Sequence, residues 1–125
     1  MSHSVYILCS PDRNTDKYNW GIFISPVEAT KGTKYDVMRI ASRWHRRYSQ
    51  FDLLDAPKLD GAFLIGGIAG TKSFLHAMSE TPLPGKDEQG KTWIRKVFER
   101  AITKGAILSS LLVRENLEAV PEEPS

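Results

Sequence analysis

Three histidines, one cysteine and scattered carboxylates are the side chains here that could carry nucleophilic, acid–base or metal chemistry. Cys9 ends the apolar run Val5-Tyr6-Ile7-Leu8-Cys9, where a thiol is expected to pack in a core rather than to react. His45 lies between arginines in Arg43-Trp44-His45-Arg46-Arg47 and reads as a surface residue; His76 sits between Leu75 and Ala77, and His3 lies near the N-terminus. No H-x-E or H-E-x-x-H spacing occurs, and one cysteine makes neither an internal disulfide nor a multi-cysteine zinc site. No metal and no cofactor is therefore expected. The glycines in Gly66-Gly67-Ile68-Ala69-Gly70-Thr71-Lys72 miss the spacing of a phosphate loop and read instead as a bulge, a close backbone approach or a bend into a helix.

Arg39, Arg43, Arg46 and Arg47, interleaved with Trp44 and Tyr48, form the densest basic cluster. Arginine forks bind carboxylates and phosphates, and aromatic rings stack on planar groups. The more economical expectation is a solvated face in a strand–loop–strand connection.

The elements that must position these residues come strands first. Val5–Cys9, Asn19–Ser25 closed by Pro26, and Lys34–Ile40 opened by Gly32-Thr33 are rich in β-branched and aromatic residues, and the second and third pair as a hairpin across residues 26–32. A fourth strand is expected over 47–53. The almost wholly apolar Gly61–Ile68 suits a central strand covered on both faces. The period then changes. Thr71 is placed to cap a short helix with Phe74, Leu75 and Met78 inward, ending before Pro82-Leu83-Pro84-Gly85.

Ile94, Val97, Phe98, Ala101 and Ile102 recur at i, i+3, i+4, i+7 and i+8, so a helix over 91–104 is expected, with Gly105 just past its end. Each large side chain of that stripe contributes about 1.5–3 kcal/mol on burial. Residues 107–112 are apolar enough to pack back on the domain, and 114–120 suit a short surface helix. The fold class is thus α+β: an antiparallel sheet of four to six strands with helices packed on it, one domain over residues 1–120 and a frayed tail over 121–125.

The chain has 125 residues, a net charge of +2, 41% hydrophobic and 26% charged residues, which fits one soluble globular domain. No apolar run approaches the ~20 residues of a membrane span, and no secretory signal pattern precedes the first strand, so a cytoplasmic protein without a membrane partner is expected. Net charge alone makes no case for nucleic acid.

Two short motifs carry a resemblance. Tyr18-Asn19-Trp20-Gly21-Ile22-Phe23 starts the second strand, and Gln89-Gly90-Lys91-Thr92-Trp93-Ile94 starts the long helix. Their order resembles the circularly permuted branch of the papain-like fold, the group of lecithin-retinol acyltransferase-like and small fungal cysteine-peptidase-like proteins. There a His-Trp strand start supplies a base, an Asn-Cys helix start supplies the nucleophile, and the next strand orients the base. The resemblance spans about residues 5–107. It places Asn19 at the base position, Asp36 at the orienting position and Gly90 at the nucleophile position. Glycine offers no nucleophile and neutral asparagine cannot take a proton, so the family's acyl-enzyme chemistry is not expected.

Two functions remain. In the first, the former cleft, lined by Tyr18, Asn19, Trp20, Asp36, Lys91 and Trp93, binds an anionic small molecule, a peptide or a protein partner without converting it. In the second, a small biosynthetic cyclase, isomerase or lyase uses Asp36 as general acid or base, Lys91 to stabilise an anion and Asn19 to orient a carbonyl. Both require Asn19 and Lys91 to face one another across a single cleft.

Overall fold

Period-two alternation over the first half of the chain builds four strands in succession: β1 (His3–Pro11), β2 (Tyr18–Pro26), β3 (Lys31–Ile40) and β4 (Arg43–Asp52). β5 (Gly61–Ile68) returns to the other side of β1, giving one antiparallel sheet in the order β4-β3-β2-β1-β5. Three helices follow, α1 (Thr71–Glu80), α2 (Gly90–Thr103) and α3 (Ser110–Ala119). The computed structural model describes residues 2–11, 18–54, 61–86, 88–108 and 110–120, without the side chains of Pro11, Tyr18 and Ser110.

The α+β class and the antiparallel sheet expected from the sequence are what the chain forms. Strand register sorts the side chains. Val5, Ile7 and Cys9 stand opposite Ile24, Ile22 and Trp20, and Ile22 and Ile24 stand opposite Tyr35 and Thr33. This face carries the main core, in which Phe74, Ala77 and Met78 of α1, Trp93, Ile94, Val97, Phe98 and Ala101 of α2, and Val113 of α3 are buried. Phe74 and Phe98 meet edge to face at 5.7 Å. The alternate residues form the other face, where Phe23 lies between Tyr6 and Phe51, each 5.9 Å away. Leu8, Phe23, Ser25 and Asp36 are buried there.

Several expectations change. β5 is an edge strand, not a central one: Ala62 and Leu64 are exposed, and only the inward residues are covered. Its register on β1 shifts at Val5/Tyr6, which leaves Ile65 as the extra residue and buries it completely. A Cβ on Gly66 would sit 2.7 Å from Val113 Cγ2, so the glycine permits α3 to approach the strand. β4 begins at Arg43, so the arginine run is strand rather than connection. Its hairpin with β3 turns through Ala41 and Ser42, both left-handed at φ 51° and 67°.

Gly70, not Thr71, is the N-cap of α1. Gly105 has the left-handed conformation expected after α2, at φ 67°. Ile107 packs inward, but Leu108, Leu111 and Leu112 are exposed, and Ile102 is only half-buried. The polar segment 12–17 and the tail 121–125 lie outside the described residues.

Candidate functional site

The buried stripe of α2 fixes the helix across β2 and β3, and this brings its first turn over the start of β2. Lys91 Nζ lies 4.6 Å from the centre of the Trp20 ring, and a Cβ on Gly90 would lie 3.6 Å from Val37 Cγ2. An ammonium over an indole is worth about 0.5–1 kcal/mol when exposed and about 2 when desolvated. Trp20 is buried, so its face offers a fixed platform for that charge.

The helix start is electropositive for a second reason. Gln89, the N-cap residue, makes no side-chain capping bond, and the first turn contains no acidic residue. Glu88, two residues ahead of the helix, takes a hydrogen bond from Lys96 at 3.1 Å, and that bond holds it below the usual carboxylate range. Asp87 lies outside the described residues.

The residues expected to line one cleft do not all meet: those with described side chains divide between the two faces of the sheet. Trp20 and Lys91 meet. Trp93 is 1% exposed and belongs to the core, where its indole nitrogen finds no hydrogen-bond acceptor. Asn19, opposite Ser10, alternates with Trp20 and so stands on the face turned away from α2. Asp36 alternates with Tyr35 and Val37 and stands on that same far face. Tyr18 begins β2 opposite Pro11, and its side chain lies outside the described residues. It is Trp20, not Asn19, that α2 approaches.

Asp36 is nonetheless the hub of a second group. Its two oxygens accept from Arg47 Nε at 2.6 Å and Nη2 at 3.0 Å, the bidentate fork of a strong guanidinium–carboxylate pair. Lys34 Nζ lies 3.9 Å from the same carboxylate and 5.7 Å from the Phe51 ring centre. Burial lowers the Lys34 ammonium from its ordinary range, and Asp36 opposes that shift in part. The hydrogen bond that Arg47 donates to Asp36 raises the pKa of its guanidinium. The pairing follows from the β3–β4 register, which sets Asp36 opposite Arg47. Sequence reasoning passed over it, because residues eleven apart become neighbours only once the turn between them is known.

Two more members of the basic cluster tie β4 to the connection between α1 and α2. Arg46 Nη2 donates to the Thr81 carbonyl at 2.7 Å, and Trp44 Nε1 to the Gly85 carbonyl at 3.3 Å. Arg39 and Arg43 remain exposed. Cys9 is fully buried in the core, His45 is exposed on β4, and His76 Nδ1 lies 3.2 Å from Glu80. A cavity of about 220 Å³ between α2 and α3, lined by Arg95, Glu99, Ile102, Arg114, Leu117 and Glu118, balances two cations with two anions and includes neither Lys91 nor Trp20.

Among the described residues no cluster of His, Cys, Asp and Glu is arranged to hold a metal ion, and no helix is long and apolar enough to cross a membrane. Comparison with protein-family models, with curated proteins and with solved structures finds no match.

Proposed function

We propose that this chain is a binding domain of permuted papain-like ancestry that takes a ligand bearing a carboxylate or phosphate where α2 begins over β2. The ancestry rests on the order of the two motifs, at 18–23 and 89–94, and on the meeting of the second strand's start with the helix start. The observation that carries the binding reading is the Lys91 ammonium seated 4.6 Å over Trp20 at a helix start with neither a side-chain cap nor an acidic residue in its first turn. Backbone N–H groups of that turn and the ammonium act in the same direction on an anion. Thiol chemistry has no place in this reading, since Cys9 is buried in the core and Gly90 occupies the helix start. Turnover through Asp36 has none either, because the Arg47 fork occupies both carboxylate oxygens and the sheet separates them from Lys91.

The test is a titration with a panel of small carboxylates and phosphates, followed by calorimetry and by tryptophan fluorescence. A saturable signal that Lys91→Ala weakens about tenfold, equivalent to ~1.4 kcal/mol, is expected, with every ligand recovered unchanged. Binding indifferent to Lys91→Ala, or conversion of a ligand, would refute the reading.

A further inference from the structure

The two edges of the sheet are finished differently, and the difference points to a partner. On β5 two outward carbonyls are occupied: Leu108 N–H donates to Gly67 O at 2.9 Å, and the Asn116 amide donates to Ile65 O at 2.7 Å. On β4 no such closure exists among the described residues. It is ten residues long, pairs only with β3 among the described strands, and most of it is exposed on both faces, with Tyr48 76% exposed. A bare edge of that length offers alternating N–H donors and C=O acceptors to a further strand.

Charge selects what comes. Residues 31–52 carry six cations (Lys31, Lys34, Arg39, Arg43, Arg46, Arg47) and two anions (Asp36, Asp52), a net +4 in a chain of net +2, so the rest carries −2. A second copy of the chain pairing edge to edge would bring the arginines of one β4 against those of another, and like charges across a ladder repel. A nucleic acid meets the positive field but presents only acceptors along its phosphates, whereas a strand edge presents donors and acceptors in alternation. Arg46 and Arg47, moreover, already spend hydrogen bonds on Thr81 and Asp36. Arg43 makes no ion pair among the described residues and keeps its charge for a partner; Arg39, equally without an ion pair there, stands on β3 on the face of Trp44.

We infer that β4 receives an acidic, extended polypeptide segment of a partner protein as a sixth strand. Alternation sets its chemistry: carboxylates on the face of Arg43, His45 and Arg47, apolar or aromatic side chains on the face of Trp44 and Tyr48.

The probe is a ten-residue peptide alternating Glu and Val, tested with the whole chain at low and moderate salt. A 1:1 complex is expected, with slowed hydrogen exchange at every second amide of β4, weakening as salt rises. The variant R43E, altered only at an exposed position on the face assigned the carboxylates, should lose at least tenfold in affinity while keeping its melting temperature. The same peptide N-methylated at every residue, which can donate no backbone hydrogen bond on either edge, should not bind. Equal binding of the N-methylated peptide, tighter binding of a ten-nucleotide single-stranded DNA, self-association through β4 in sedimentation, or no complex at all would each overturn the inference. Lys91→Ala should leave this complex unchanged, so the two sites fail or succeed separately.

Discussion

β5 and β4 border the same sheet and are stabilised by different physics. β5 sits under α3: Gly66 admits Val113, the bulge at Ile65 turns an extra apolar side chain inward, and donors from Leu108 and Asn116 take two outward carbonyls. β4 is mostly exposed, and no helix among the described residues covers it. It is held by its ladder with β3, by the Arg47–Asp36 fork, and by Arg46 and Trp44 reaching the connection between α1 and α2. One edge is closed by packing and the other guarded by charge. A closed edge has only stability to offer, whereas a charged open one retains unpaired backbone that a complementary chain can use.

The largest expected effect falls on both edges alike. Phe98→Ala removes the ring that meets Phe74 beneath the sheet and should cost about 3–5 kcal/mol by urea unfolding, with protection lost at β4 and β5 together. Loss confined to one edge would show that the core does not couple them. Gly66→Val separates the edges: the added side chain collides with Val113 and should cost about 1–3 kcal/mol, loosening α3 and β5 while β4 amides exchange as before.

How much of this was legible in sequence depends on where the signal lay. β5 is read at its observed bounds and α2 within one residue at each end, because a continuous apolar run and a 3.6-residue stripe are local patterns. The central, doubly covered position expected of β5 is not what forms, since an apolar run says neither whether a strand stands on each side nor whether a layer covers each face. The β3–β4 hairpin was hidden by its turn. Ala41 and Ser42 adopt the left-handed conformation normally signalled by Asn-Gly or Asp-Gly, so Arg43–Arg47 looked like a connection. With that register unknown, Asp36 appeared available for chemistry when Arg47 in fact holds it. The contact between Lys91 and Trp20 was half legible: both residues were singled out, but the strand's parity, which turns Trp20 and not Asn19 toward α2, was not.

Smaller perturbations sharpen the contrast. Asn116→Ala deletes the donor to Ile65 O and should cost about 0.5–1.5 kcal/mol, read as a lower urea midpoint with little change at β4. The least effect is one of pH and belongs to the β4 side. Burial lowers Lys34 in the folded chain below the ordinary lysine value of 10.5. Between that lowered value and 10.5 the unfolded chain binds more protons, so this group makes stability rise with pH across that window and fall as pH drops back through it. Urea midpoints at a series of alkaline pH values should show that rise in the native chain and a flatter profile in Lys34→Met. Identical slopes in the two proteins would remove Lys34 from the account.

Residue-resolved hydrogen exchange on the unliganded protein compares the two edges most directly. The Leu108 amide, which belongs to no strand, should be protected as strongly as an interior ladder amide because it closes β5, while every second amide of β4 exchanges at the rate of exposed backbone. Uniform protection along β4, or fast exchange at Leu108, would contradict the picture of one edge closed and the other open.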